Sequence, residues 1–226
     1  MKISKAETEC PMNFFNGSRS TMDVFTNILI PAWSESHRVY HSLDNHLIPL
    51  LNAIKKIDIT GELAKELYMV AWFHDAVYIP GAKDNELKSA ELFLSCVNVQ
   101  NRETKDSVSK IFYTILGTGC YLDSMLFEKY NKLSSGLLNT FSELDLGNLL
   151  RGTLEELKTA DNQLSKESKN GANFNLDVYN KGRINFVKKF YDIYKDKMAK
   201  STREVFPCYI DFIEKQINME LKYAKN

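Results

Sequence analysis

Three of the chain's four histidines lie within ten residues of one another, at His37, His41 and His46. The fourth, His74, ends an apolar run and is followed directly by Asp75. Neutral imidazole and ionised carboxylate groups are common ligands of divalent metals. A His-Asp pair at the end of an apolar helix is costly to desolvate unless something pairs with it, and a metal ion would pair with both. These residues therefore point to metal chemistry.

A metal site in a helical protein needs ligands from several helices that converge on one point. His46 lies near the start of one predicted helix, and His74 and Asp75 lie at the end of the next. Asp145, from a later helix, is the best candidate for a fourth ligand. Glu143 lies two positions away, so on a helix the two carboxylates point to roughly opposite sides and only one easily enters the site.

The apolar residues follow a helical period along most of the chain, and no alternating strand pattern is longer than a few residues. The polar stretch 166–173 is predicted to be a loop. Together these patterns predict an all-α fold, with a polar N-terminal arm over 1–24 and a single helical domain over 25–226. The predicted helices cover about residues 46–56, 60–75, 84–94, 105–116, 144–150, 176–198 and 203–223.

Composition limits the function that such a fold could serve. Among 226 residues, 29 Lys and Arg balance 29 Asp and Glu, so no net field favours nucleic acid or an anionic membrane. The longest apolar run, 67–73, is too short to span a bilayer, and the first twenty residues lack the apolar core of a secretion signal. The four scattered cysteines argue against a structural zinc site and a disulfide framework, and favour a reducing, cytoplasmic compartment.

The order of His, His-Asp and Asp resembles the signature of the HD phosphohydrolase superfamily. One subgroup, bacterial proteins described as predicted metal-dependent HD phosphohydrolases, is especially similar, and the resemblance covers roughly residues 25–222. It implies a helical HD-domain bundle and one divalent ion held by His46, His74, Asp75 and Asp145. Mn, Mg, Fe, Co, Ni and Zn all suit this mixture of ligands. The segments that carry the resemblance are Arg38–His41, Ala71–Tyr78, Asp84–Glu86, Ser89-Ala90, Tyr179, Gly182-Arg183 and Phe190.

A second resemblance concerns Tyr40-His41 and His46, which look like the histidine pair of the cyclic-nucleotide phosphodiesterases. There the first histidine is a general acid and the second binds metal, which implies that His41 donates a proton and His46 is the ligand. Those motifs place three residues between the histidines, whereas this chain places four. A loop position for His41 would absorb the extra residue; on one helix the two histidines would lie about 140° apart. A third imidazole ligand or a hydrogen bond to a ligand are the alternative roles for His41. For His37 we expect a surface or capping role.

Position 117 departs from the subgroup pattern. Relatives usually carry a further histidine there in a Thr-x-x-His context, whereas this chain has Thr114 followed by Gly117. Dinuclear HD sites need additional histidines after the His-Asp pair, and no histidine follows His74. We therefore expect one metal ion or none, and not a two-metal centre.

The resemblance implies hydrolysis of a phosphate ester or anhydride in a small phosphorylated metabolite, with a nucleotide as the first choice of substrate. Glu86 is the candidate to orient or deprotonate the attacking water, although it could instead be a first-turn helix charge. Arg38, Lys83 and Arg183 are candidates to hold phosphates, with an ordinary solvated charge as the alternative for Arg183. Two other classes stay open: a catalytically weak or inactive HD-fold nucleotide-binding or regulatory module, and a helical interaction protein without a ligand.

Overall fold

The computed structural model describes residues 21–97, 102–172 and 174–223 of the chain, and this described part is all-α without a β-strand. The predicted all-α class is thereby confirmed. The helices form two compact units that divide between Leu144 and Asp145. Residues 1–20 of the predicted arm lie outside the described residues. Residues 21–24 are already helical and Val24 is buried, so the helical structure starts before the predicted domain boundary at residue 25.

The first unit contains the helices that carry His46, His74 and Glu86. Two π-helical segments interrupt the α-helices: Phe25–Leu29 joins the first two, and Leu43–Leu47 leads into the third. The α-helices are α1 Thr21–Val24, α2 Ile30–Trp33, α3 Ile48–Lys56, α4 Gly61–Phe73, α5 Asn85–Cys96, α6 Arg102–Thr118, α7 Ser124–Leu133 and α8 Leu137–Asp145, whose last residue belongs to the second unit.

Helix α4 forms a rigid support for the residues that follow it. Leu67 and residues 69–73 are at most 1 % exposed, as expected for the half of α4 that has no charged side chain. Each such side chain contributes about 1.5–3 kcal/mol when it is fully buried. The Trp33 indole Nε1 donates a hydrogen bond to the Trp72 carbonyl oxygen at 2.9 Å, which ties α2 to the last turn of α4. His74 therefore follows a firmly held helix end.

The second unit contains α9 Gly147–Arg151, α10 Leu154–Lys169, α11 Leu176–Tyr194 and α12 Lys200–Tyr223. The loop predicted for 166–173 is wrong over its first residues, because α10 continues to Lys169. The single helix predicted around residues 144–150 is two helices, α8 and α9, with Leu146 between them. No helix was predicted over α1, α2, α7 or α10.

Two further observations concern membrane-spanning helices and disulfide bonds. Among the described helices, none is both long enough and apolar enough to cross a membrane. Cys96, Cys120 and Cys208 form no disulfide bond.

Candidate metal centre

His46, His74 and Asp75, three of the four predicted ligands, come together in the first unit. The His46 and His74 Nε2 atoms are 3.2 Å apart. The Asp75 Oδ2 atom lies 3.2 Å from His74 Nε2 and 3.9 Å from His46 Nε2. Both histidines are buried, and the Asp75 side chain is 14 % exposed. Such a group of three ligand atoms could hold a metal ion.

The main chain fixes the orientation of the His74 ring. Its Nδ1 atom donates a hydrogen bond to the Ala71 carbonyl oxygen at 2.9 Å. A carbonyl oxygen accepts and cannot donate, so the hydrogen of the neutral imidazole lies on Nδ1 and the lone pair lies on Nε2. That lone pair faces His46 and Asp75. Metal-binding histidines are commonly oriented by such a second hydrogen bond, so the donor set fits a divalent ion.

Aromatic rings hold the two imidazoles in place. The Trp33 ring centroid lies 6.1 Å from that of His46 and 5.7 Å from that of His74. The Tyr40 ring lies 5.2 Å from His46, and the Phe141 ring lies 5.2 Å from His74. These contacts restrict ring rotation, which keeps the Nε2 atoms directed at each other.

The carboxyl groups of Asp75 and Glu86 are driven in opposite directions. Burial alone would raise the pKa of Asp75, but the positive charge of a protonated His74 and a hydrogen bond from its ring, followed by the charges of His41 and His46, hold that pKa well below its usual range. Burial raises the pKa of Glu86, and the charge of Asp75 raises it further, while a backbone hydrogen bond, His74 and His41 oppose the increase. The two carboxyl groups therefore differ in how readily they ionise, and Asp75 is the more acidic.

His41 lies in the loop before the π-helical segment Leu43–Leu47, where the extra residue between the two histidines can be accommodated. Ser42 is the N-cap of the π-helical segment Leu43–Leu47, and its carbonyl oxygen accepts from both His46 N at 3.1 Å and Leu47 N at 3.2 Å. The His41 Nε2 atom is 3.9 Å from Asp75 Oδ2, so the ring reaches the ligand group. Its assignment as a proton donor stays a prediction.

His37 makes a local contact outside the ligand group. Its Nε2 atom donates to the Tyr78 carbonyl oxygen at 2.8 Å, and its side chain is 29 % exposed. This position suits the predicted surface or capping role.

Asp145, the predicted fourth ligand, ends α8 and is the first residue of the second unit. Phe141, whose ring contacts His74, lies one turn earlier on the same helix, so both residues share a face of α8. Glu143 is exposed and Asp145 is half-buried, in agreement with opposite orientations on the helix. Metal binding by Asp145 stays a prediction.

The three predicted phosphate-binding residues have different surroundings. Lys83 is exposed in the loop before α5. Arg38 is buried in the first unit and hydrogen-bonded to other residues there. Arg183 is buried in the second unit, where Asp161 accepts from its Nε atom at 2.8 Å and also from its Nη2 atom. Burial alone would lower the pKa of Arg183, but Asp161 raises it above its usual value.

Two glycines in the first unit matter because of the side chains beside them. A Cβ atom at Gly117 would overlap the side chain of Leu138, so the histidine expected from relatives has no room there. A Cβ atom at Gly119 would lie 3.0 Å from the Glu86 carboxyl carbon. Sequence reasoning missed the role of Gly119, which leaves space for Glu86.

Comparisons of the chain with protein-family models, curated proteins and solved structures give no match. The resemblance to HD phosphohydrolases therefore depends on the motif residues alone, and the geometry of the ligand group is a separate observation.

Proposed function

We propose that this protein is an HD-type metal-dependent phosphohydrolase that acts on a small phosphorylated metabolite, with a nucleotide as the leading candidate. The observation that carries the proposal is the convergence of His46, His74 and Asp75, with the His74 lone pair directed into the group. A divalent ion, when bound there, would lower the pKa of water and neutralise phosphoryl oxygens.

The surrounding residues can supply the proton transfers of a hydrolysis. Glu86, whose pKa is raised by burial, is suited to take a proton from the attacking water. His41, which lies in the loop beside Asp75, is suited to protonate the leaving oxygen. Asp145 would complete the ligand set, and exposed Lys83 is the candidate for a phosphate contact, whereas the Arg183 guanidinium group is held by Asp161. One ion is proposed, because the chain has no histidine after His74.

A specific observation supports the alternative of a regulatory module with weak or no turnover. Leu138 fills the space beside Gly117, so the further histidine usual in relatives is excluded there by packing as well as by sequence. If that histidine is needed for hydrolysis, the site would bind metal and a nucleotide but would not hydrolyse the nucleotide.

The test is a metal analysis of the purified protein, followed by a phosphate-release screen over nucleotides and sugar phosphates with Mn, Mg, Fe, Co, Ni and Zn added. His74→Ala is the control. We expect metal in the wild type, loss of metal in the variant and turnover of one substrate class. Metal and nucleotide binding without turnover would support the regulatory module. Neither metal nor ligand binding would leave a helical interaction protein.

A further inference from the structure

Arg38 carries a charge into the interior of the first unit. The residue is 6 % exposed and its side chain 0 %. A buried charge without partners costs several kcal/mol, so the surrounding chain must satisfy it. Glu35, with a side chain that is 46 % exposed, accepts from the Arg38 Nε atom at 3.0 Å.

The other hydrogen bonds of Arg38 go to main-chain carbonyl oxygens next to the ligand group. Its Nη1 atom donates to the His41 carbonyl oxygen at 3.1 Å and to the Asp75 carbonyl oxygen at 2.8 Å. Its Nη2 atom donates to the Ala76 carbonyl oxygen at 3.0 Å. One nitrogen thus bridges the loop that carries His41 and the turn that carries Asp75.

Two aromatic rings hold the guanidinium group in this position. Its central carbon lies 5.3 Å from the Trp33 ring centroid and 5.4 Å from that of Tyr78. Tyr78 in turn packs 4.3 Å from the His41 ring. Trp33 and Tyr78 therefore contact both Arg38 and the imidazole rings, so a change in the Arg38 side chain should also shift those rings.

We propose that Arg38 is a positioning residue of the metal centre, which sets the distance between the His41 loop and the Asp75 turn. This inference depends on the proposed function, because it concerns the same ligand group. It gives Arg38 a different role from the phosphate contact predicted from the sequence, because four of its hydrogen bonds are made inside the protein.

Lysine could not reproduce these contacts. Arginine presents donors on three nitrogens in a rigid fork, whereas lysine carries its donors on one nitrogen at the end of a flexible chain. The Arg38 guanidinium group lies beside the carbonyl groups that follow the end of α4, where a positive charge is favourable. Arg38→Lys keeps that charge. The flexible lysine cannot make all four hydrogen bonds at once or stack a planar group between Trp33 and Tyr78, so the substitution loosens the bridge and leaves the net charge unchanged.

The experiment is a Co²⁺ titration of the 226-residue chain, monitored by visible absorption, which reports both affinity and coordination geometry. We expect Arg38→Lys to weaken Co²⁺ binding roughly 10–100-fold, the usual effect of losing a group that orients metal ligands, and to alter the spectrum. Glu66→Gln is the matched control: Glu66 is a buried charge on α4 that accepts from Ser107 Oγ at 2.7 Å. It should lose stability and keep the wild-type Co²⁺ affinity and spectrum.

Each other result has a defined meaning. Equal Co²⁺ affinity and spectra in wild type and Arg38→Lys would overturn the positioning role, and a raised KM in that variant would then assign a substrate contact. A wild type that binds no Co²⁺ would overturn the metal centre as well. If Arg38→Lys does not fold, the surface variant Glu35→Ala decides. Weaker Co²⁺ binding than in wild type supports the role, and unchanged binding overturns it.

Discussion

His41 and His46 are close in sequence but have different surroundings. His46 is 8 % exposed and lies within the π-helical segment, whereas the His41 side chain is 19 % exposed and lies in the loop before it. A ligand must be held rigidly in place, and a proton donor must reach the substrate. The difference in burial therefore agrees with the roles proposed for the two residues.

Alanine substitutions test this division of roles. His46→Ala should lose metal and activity together, because it removes a ligand atom. His41→Ala should retain metal and lose about 10²–10⁴-fold in rate, the usual contribution of a general acid. The loss should be smallest for substrates with a good leaving group. Metal analysis and phosphate release measure both effects. If His41→Ala loses the metal and His46→Ala retains it, the roles are reversed.

The raised pKa of Glu86 predicts a pH-dependent effect on stability. As the pH rises above the ordinary value of 4.5, Glu86 ionises in the unfolded chain before it ionises in the folded protein, so the unfolding free energy falls. Above the raised pKa both forms are ionised, and the loss of stability stays constant. Glu86→Gln removes that loss. In metal-free protein the variant should melt at a higher temperature than wild type at about pH 7.5, and the difference should shrink towards about pH 4.5.

The control for this effect is Glu91→Gln, at an exposed position on the same helix. Melting curves of Glu86→Gln that match those of wild type at both pH values would show that the carboxyl group is not buried in the folded protein. Activity gives a separate result: if Glu86 is the base, the stabilised variant should be roughly 10²-fold slower or worse.

At the scale of elements, sequence patterns predict most of the long helices but neither α7 nor α10. Helices α4 and α5 begin at Gly61 and Asn85, one residue after the starts predicted at 60 and 84. Helix α10 was missed because Asp161 and Glu167 occupy buried positions, so its apolar period is broken. The signal that could have found it is the capping box of Thr153 and Glu156.

The same limit applies to the site. The types and spacing of His46, His74 and Asp75 were sufficient to predict that they converge, because a sequence gives directly which residues have metal-binding side chains. The bridging role of Arg38 was not visible, because its partners are main-chain carbonyl groups that every residue possesses. The space at Gly119 depends on how α5 and α6 approach each other, which no local pattern encodes.

Two helical glycines form a matched pair for testing the packing of individual helices. No atom lies within 4 Å of a Cβ placed at Gly182 on α11, so Gly182→Ala should stabilise the protein by about 0.5–1 kcal/mol through helix propensity. At Gly117 the new methyl group would overlap buried Leu138, so Gly117→Ala should destabilise by about 1–3 kcal/mol. Urea denaturation measures both. Stabilisation by Gly117→Ala would show that Leu138 can move aside, and that the position can hold a side chain.

For the molecule as a whole, metal binding should be linked to folding. His46 and the His74-Asp75 pair are 28 residues apart and meet only in the folded first unit. A metal concentration 100-fold above Kd should therefore add about 2.7 kcal/mol to the unfolding free energy. Calorimetry with and without the metal measures this gain, and His74→Ala should abolish it. An equal gain in His74→Ala would place the ion elsewhere.

The end of α8 tests whether the ligand set continues past residue 144. Asp145→Asn should weaken metal binding roughly 10-fold or more if its carboxylate is a ligand. Glu143→Gln, two residues away and exposed, is the matched control and should bind normally. Titration of the metal-free proteins compares the two. Equal binding by both variants would limit the set to His46, His74 and Asp75.

The π-helical segment before α3 also has a consequence for how the motif tolerates insertions and deletions. Its turn holds one residue more than an α-helical turn, and both His46 N and Leu47 N reach the Ser42 carbonyl oxygen. A turn of this kind can lose a residue by reverting to α-helical geometry. Deletion of Asp44 would restore the three-residue interval of the phosphodiesterase motif, with His41 and His46 still on either side of the helix start. Two chains with the same pair of histidines can therefore differ by one residue in this turn, and a motif with a fixed interval would match only one of them.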